Sequence, residues 1–491
     1  MTASVHYETA PEERIPFFKK LIYGAGAFVN NMLAGAMGGM VIILNLGLGM
    51  NPAMVGLVAA LPRLTDAITD PLMGYISDNT RSRWGRRRPY IFAGAIASAI
   101  TFIALWQMPA GRSEAFYFWY FLFGSLIFYL GYTVFATPWV ALGYELTPDY
   151  HERTRLMGVQ NFVGQLAYLV SPWFLWFMKL ESFGDLLEGA QMLAIAVAVG
   201  TVALGILPAL FLVERSPPAP ESVAEDIAKE ADLEVPTRGL LKGLANFFKG
   251  FGTALKVGPF LQLCGATFLV FNGFMLISSF QVYVIIYYVF GGDQARGAEY
   301  AGYAGTLQAF AAFGVIFIVT WLATRIGKRR AFFVSTGISM VGYLLKWACY
   351  NPETPWLLLL PVPLIAFGLG GLFTLMGSMI ADVVDYDELN TGQRREGMFG
   401  SIYWWVVKLG MAAALAGGGY LLNWTGFDVD LGGSQTVETL FLMRLCDVLV
   451  PFLASGFAIF MVATYPLTEQ RAHELRHELE ARRGVMEPVA A

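Results

Sequence analysis

LPRLTDAITDPLMGYISD, residues 61–78, sets two aspartates, Asp66 and Asp70, inside a run that otherwise reads as a membrane-spanning helix. Four residues is close to one helical turn, so both carboxylates share a face. An ionised carboxylate at bilayer depth costs about 2.5–3.5 kcal/mol on insertion scales, and a like charge beside it adds repulsion. A bound cation offsets both terms directly. The competing reading satisfies the two acids structurally, through Arg63 one turn earlier and polar neighbours on other helices.

The rest of the chain fits a membrane solvent. Of 491 residues, 56% are hydrophobic and 14% charged, where a soluble globular chain carries roughly 25% charge. Cys264, Cys349 and Cys446 fall in apolar runs without metal-ligand spacing. All four histidines lie in polar segments, so none is placed for a proton relay within the membrane. No nucleophile–base pair, metal motif or nucleotide loop stands out, which argues against an enzyme, and nothing suggests a nucleic-acid partner. No resident cofactor is expected.

Hydropathy and length predict an all-α fold of about twelve spans. They run near 21–48, 54–77, 89–108, 116–146, 157–180, 190–214, 257–290, 299–323, 331–350, 355–380, 397–423 and 440–466. Basic clusters at Arg14/Lys19/Lys20, Arg81–Arg88, Arg153/Arg155, 215–256, Arg325–Arg330, Arg394/Arg395 and the tail fall on one side of that arrangement. The opposite loops hold little beyond Arg112, Lys179 and Arg296. The asymmetry predicts cytoplasmic N- and C-termini and a multi-pass protein of the inner (plasma) membrane.

The expected organisation is a six-helix bundle over 1–214, a cytoplasmic linker over 215–256, a second bundle over 257–470 and a cytoplasmic tail over 471–491. The linker opens Pro-rich and acidic and ends in RGLLKGLANFFKGFGTALKV, whose Lys242, Lys249 and Lys256 recur every seven residues. That spacing suits an amphipathic helix on the inner leaflet, or one packed under the bundle. The halves share a signature: RSRWGRRR follows the second span, and ATRIGKRR the eighth. Two six-helix bundles rocking about a midplane site fit this repeat.

DAITDPLMGYISDNTRSRWGRRRPYI, 66–91, together with ADVVDYDELNTGQRREG, 381–397, YWWVVKLG, 403–410, and GYTVFATPW, 131–139, strongly resembles the glycoside–pentoside–hexuronide:cation symporters of the major facilitator superfamily, of which melibiose permease is a familiar member. The resemblance implies the major facilitator fold and cation-coupled sugar symport. Asp66 and Asp70 match the paired acids that ligate the coupling H⁺, Na⁺ or Li⁺, as metal ligands if the ion is sodium. Thr133 matches a hydroxyl that completes the cation site. Lys408 matches an embedded lysine of the eleventh helix near the cation and sugar sites, and is expected to pair with the aspartates. Asp382 and Asp385 match an inner gating network, expected to work with Asp78, Arg86 and Arg87.

The departures concern the sugar. The galactoside-binding acid of the first helix corresponds to Asn31, an acid of the fourth to Ala136 and an arginine of the fifth to Asn161. A melibiose-type sugar site is therefore not expected. Asn31, Asn161, Gln165 and Trp139 can still form a carbohydrate site, since amides both donate and accept and an indole stacks on a sugar ring. Helix-to-helix hydrogen bonding is the alternative role for each amide. At the level of function, the alternatives to a sugar symporter are a facilitator or lysolipid-type carrier on the same scaffold, and a non-transporting sugar sensor.

Overall fold

The computed structural model describes residues 14–80, 82–147, 150–214, 252, 254, 256–391 and 396–483. The helix expected near the end of the linker lies almost wholly outside the described residues, as do Arg81, Arg394 and Arg395. Among the described residues every regular element is helical.

The first half contributes α1 (Phe17–Met40, with a one-turn extension Ile43–Leu46), α2 (Pro52–Asn79), α3 (Arg88–Trp106), α4 (Glu114–Glu145), α5 (Tyr150–Gln165) and α6 (Leu186–Gly205, continued by Leu207–Phe211). The second contributes α7 (Gly258–Tyr283, ending in a π-helical stretch Val284–Val289), α8 (Gln294–Ile326), α9 (Lys328–Cys349), α10 (Val362–Thr391), α11 (Glu396–Trp424) and α12 (Val437–Ala463). A polar helix α13, Glu469–Arg483, follows.

Ten of these helices are long and apolar enough to cross a bilayer. The other two complete the twelve and fall short for identifiable reasons. In α2 the apolar stretch ends at Thr65, where the aspartate-bearing segment begins. The α5 span is broken: a turn at Leu166 separates it from Ala167–Val170, and Pro172 sits in the 3₁₀ turn Ser171–Trp173 before Phe174–Met178. Proline cannot supply the helical N–H, so a break there is expected.

Four even-numbered helices start on side-chain caps. Ser113 accepts from the Phe116 N–H, Asp185 from Glu188, Asp293 from Ala295 and Arg296, and Thr436 from Thr439. Each cap satisfies backbone donors left over at a helix start, where short loops must turn the chain back.

The chain divides into two compact units. One holds Met1–Met50 and Thr65–Leu241, the other Asn51–Leu64 and Lys242–Ala491. The first turns of α2 thus belong with the second unit, which sequence alone did not indicate. Inside the units the helix pairings repeat with a shift of six: α1–α5, α1–α6, α3–α4 and α3–α6 recur as α7–α11, α7–α12, α9–α10 and α9–α12. The internal repeat suggested by the two basic turns therefore extends to the packing.

Lipid is as apolar as leucine, so helices in it associate chiefly through close contact and hydrogen bonds. Gly94 on α3 shows this: a Cβ there would lie 2.7 Å from the Phe135 Cα on α4. Gly94→Leu should therefore wedge α3 from α4, at about 1–3 kcal/mol for overpacking. The expected result is a lowered unfolding temperature for the purified protein, read by scanning fluorimetry, with Gly200→Leu, where nothing lies within 4 Å of such a Cβ, close to wild type.

Candidate functional site: a polar cluster in the first unit

Asp70 lies on the second half of α2, and Thr133, 3% exposed, lies on α4. The Thr133 hydroxyl donates to Asp70 Oδ1 at 3.1 Å. These two sequence-predicted residues are brought together. The Asp66 side chain lies outside the described residues, although its place in α2, one turn from Asp70, is clear. Among the described residues no group of three or more His, Cys, Asp or Glu could hold a metal ion. The described part of the expected cation site is thus one carboxylate and one hydroxyl, both oxygen donors of the kind hard cations prefer.

On α1 and α4 next to this pair, a chain of amides runs through the unit. Tyr132 donates to Asn30 Oδ1 at 2.7 Å, Asn30 Nδ2 donates to Asn31 Oδ1 at 3.2 Å, and Asn31 Nδ2 donates to the Gly164 carbonyl at 3.0 Å. Gly164 sits where α5 gives out, two residues before the turn at Leu166. Asn31 therefore partners backbone at a broken helix, the setting in which irregular backbone at membrane depth is tolerated. Gln165 is half-buried at the same break, and Asn161, one turn earlier, is exposed.

Trp139, expected to contribute to a carbohydrate site, is buried between α1 and α4. It is 2% exposed and donates to the Tyr23 carbonyl at 3.1 Å. Its ring is stacked with Tyr23 at 5.2 Å and lies parallel to Phe135 at 6.4 Å. With aromatic neighbours on the ring and its N–H already committed, Trp139 packs α1 against α4 and offers no face to a sugar.

At the end of the first unit that carries the basic turn, the Glu214 carboxylate accepts from the backbone N–H groups of Arg86, Arg87 and Arg88 at 2.9, 2.8 and 3.0 Å. Gly85, at φ +101°, gives the turn a backbone that a side chain would strain. Arg88 reaches the end of α6, donating to the Ala209 and Leu210 carbonyls at 2.6 and 3.2 Å. The second unit repeats the arrangement: Arg329 donates to the Ala463 carbonyl at the end of α12. Lys328 donates to both oxygens of Asp382 at 2.8 Å. Each basic turn thus caps the last helix of its own half. Asp385 is half-buried on α10, Lys408 is half-buried on α11, and the Asp78 side chain lies outside the described residues.

Two ion pairs with both side chains buried or nearly so escaped the sequence reading. Lys346 on α9 and Asp447 on α12 meet at 2.7 Å with side chains 1% exposed, and the Lys346 ammonium lies 5.3 Å from the centre of the Tyr350 ring. Each is a charge set in a largely apolar run, GYLLKWACY and LCDVLVPF, so the reasoning applied to Asp66 would have found both. Lys20 and Glu152 meet at 2.6 Å near the starts of α1 and α5.

Residues 22–469 match the MFS/sugar transport protein family. This chain belongs to that family. Its relatives include the isoprimeverose transporter of Lactiplantibacillus pentosus, 25% identical over 85% of this chain and 81% of that one. The glucuronide carrier protein homologue of Escherichia coli K12 is 25% identical over 95% and 96%. The sphingosine-1-phosphate transporter MFSD2B of Xenopus tropicalis is 25% identical over 96% and 92%. Among solved structures, a bacterial homologue of the human lysosomal transporter Spinster superposes with a TM-score of 0.66 at 14% identity, covering 93% of this chain and 98% of that one. The protein is a multi-pass membrane transporter of the major facilitator type, not an enzyme.

Two predictions arise from the buried charges. Removing one partner of Lys346–Asp447 strands the other in an apolar interior, so Lys346→Met or Asp447→Leu alone should destabilise by about 3–5 kcal/mol. Lys346→Met combined with Asp447→Leu should recover most of that loss in thermal unfolding of the purified protein. For Glu152, burial alone would raise the carboxyl, but hydrogen bonds from Lys20 and the Ile15 N–H, with Arg155 beside them, outweigh it and hold the group below its ordinary value. A depressed carboxylate stabilises the fold fully above its unfolded pKa, about 4.3, and the contribution disappears as pH falls through the lower folded value. Unfolding temperature measured against pH should fall less steeply on the acid side in Glu152→Gln than in wild type.

Proposed function

We propose that this transporter is a symporter that moves a glycoside or small sugar together with a coupling cation, H⁺ or Na⁺, by alternating access, with its termini in the cytoplasm. The observation that carries the reading is the Thr133–Asp70 hydrogen bond inside the first unit. It joins a hydroxyl of α4 to an aspartate of the helix that also holds Asp66. Cation binding there would cancel repulsion between the paired carboxylates, which links ion occupancy to the state of α2. Substrate should then raise cation affinity by the same factor that cation raises substrate affinity. Ala136 supplies no further charged ligand, which favours a proton over sodium.

For the substrate, the sugar-transporting relatives and the Asn30–Asn31–Tyr132 cluster support a carbohydrate. A lysolipid-type substrate is the second reading, supported by the similarity to the sphingosine-1-phosphate transporter.

Uptake into proteoliposomes tests both, with a panel of sugars, glycosides and lysolipids under imposed H⁺ or Na⁺ gradients. Asp70→Asn should abolish gradient-driven accumulation at normal insertion, and Thr133→Val should weaken cation dependence at least several-fold. Unchanged accumulation in both variants would remove the cation assignment. Lysolipid uptake without sugar uptake would replace the substrate class.

A further inference from the structure

The outer end of the first unit carries a feature that neither the cation site nor the amide cluster uses. Between α3 and α4, on an exposed face, runs an apolar groove of about 690 Å³. Ala104 and Leu105 of α3 form one side, and Trp119, Phe123 and Ile127 of α4 form the other. Trp119, Phe123 and Ile127 are each more than half exposed, so they close no interior. The wall is rigid: Phe116 stacks on Tyr120 at 5.7 Å and Trp119 on Phe123 at 5.7 Å.

The polar groups lining the groove are already committed to the protein. The Tyr120 hydroxyl donates to the Ala104 carbonyl at 2.6 Å, and the Thr101 hydroxyl to the Ala97 carbonyl at 2.7 Å. Ser113 Oγ accepts from the Phe116 N–H as the cap of α4. What remains for an occupant is hydrocarbon contact, which a sugar cannot use and an acyl chain can.

Length gives a second criterion. Ser113 to Ile127 spans about 21 Å along a helix axis, against roughly 15 Å for one leaflet's share of a 30 Å hydrocarbon core. The groove starts at the helix start and is long enough to take an acyl chain over the whole depth of one leaflet.

The mouth supplies charge. Arg112 lies in the α3–α4 loop with its guanidinium over the Phe116 ring at 5.9 Å, and among the described residues it enters no ion pair. Its backbone N–H donates to the Tyr117 hydroxyl at 2.9 Å, which fixes the residue at the groove's entrance. The α4 N-terminus adds a partial positive charge there, and Glu114 in its first turn moderates the total. A guanidinium above an apolar slot is matched by a phosphate above an acyl chain.

We propose that this groove holds one phospholipid as a retained constituent of the protein, with an acyl chain between α3 and α4 and its phosphate on Arg112. The site is separate from the transport site proposed above and does not depend on the substrate assigned there.

The test uses the full-length protein, extracted in mild detergent from membranes containing phosphatidylethanolamine and phosphatidylglycerol, washed extensively, and examined by native mass spectrometry and lipid-phosphorus assay. Wild type should retain about one phospholipid per chain. Arg112→Gln, which removes the phosphate partner, and Ala104→Phe, which fills the slot, should each reduce retention at least fivefold. Arg296→Gln, which changes an arginine in the first turn of α8 in the second unit, should retain wild-type lipid. Reconstitution in each lipid alone distinguishes the head groups: retention of both assigns recognition to the phosphate and chain, and retention of one assigns it to that head group as well. Equal retention by wild type, Arg112→Gln and Ala104→Phe would overturn the proposal, as would protein carrying detergent and no phospholipid. Arg112→Gln is a surface change, so the test stands even where Ala104→Phe fails to fold.

Discussion

An ionised or strongly polar group cannot stand alone in hydrocarbon, and the pairings forced by that constraint organise this transporter. Water is not there to satisfy a lone charge, so each must find a counter-charge, a hydrogen-bond partner or an ion. Lys346 and Asp447 answer with each other at 2.7 Å, sealed among Tyr343, Tyr350 and Gln281. Asp70 takes a hydroxyl from Thr133. The first pairing matches opposite full charges and locks α9 to α12. The second joins a carboxylate of α2 to a hydroxyl of α4, two oxygen donors of the kind hard cations prefer.

The two halves use one plan of helix pairing with different chemistry on it. In both, a glycine at positive φ, Gly85 or Gly327, turns the chain between the second and third helices. In both, an arginine of that turn reaches the last carbonyls of the half's final helix, through Arg88 or Arg329. Helix C-termini carry partial negative charge, so a guanidinium suits that place in either half. Charge inside the hydrocarbon, by contrast, is not repeated. The first unit concentrates amides, a hydroxyl and Asp70 on α1, α2 and α4, while the second places its sealed ion pair on α9 and α12.

Much of the fold was legible because hydropathy over twenty residues is an additive signal, and so was the α2 aspartate pair, which violates it. The two spans that fall short of membrane length and hydropathy are α2, whose apolar stretch ends where the paired aspartates begin, and α5, which carries a proline-bearing break. What sequence could not give was direction. GYTVFATPW placed Trp139 near the site in one dimension, but whether its indole faces a cavity or the neighbouring helix depends on rotation about α4, and here it faces Tyr23. The same holds for Asn31: an amide reads identically whether it binds a sugar or the Gly164 carbonyl. Lys346 and Asp447 were a different case. Their signal was present, but the two lie about a hundred residues apart in sequence, and only packing shows that one answers the other.

The irregular helix geometry also follows the repeat. α1 loses its regular ladder after Met40 and resumes for one turn at Ile43–Leu46, while α7, its counterpart, passes at Val284 into six residues of π-helix. Both departures come about twenty-five residues into the first helix of a half. In α1 the segment is braced by Asn45, whose side chain donates to the Met50 carbonyl at 2.7 Å. In α7 it is braced by Tyr283 and Tyr287, both packed on Phe427. A wider or interrupted helix leaves backbone groups less firmly bonded than an α-helix does, so it survives only where side chains compensate, and such segments are frequent at functional sites. The same place in each half is thus loosened from regular α-helix and braced by unrelated residues, which lowers the cost of bending the end of each half's first helix.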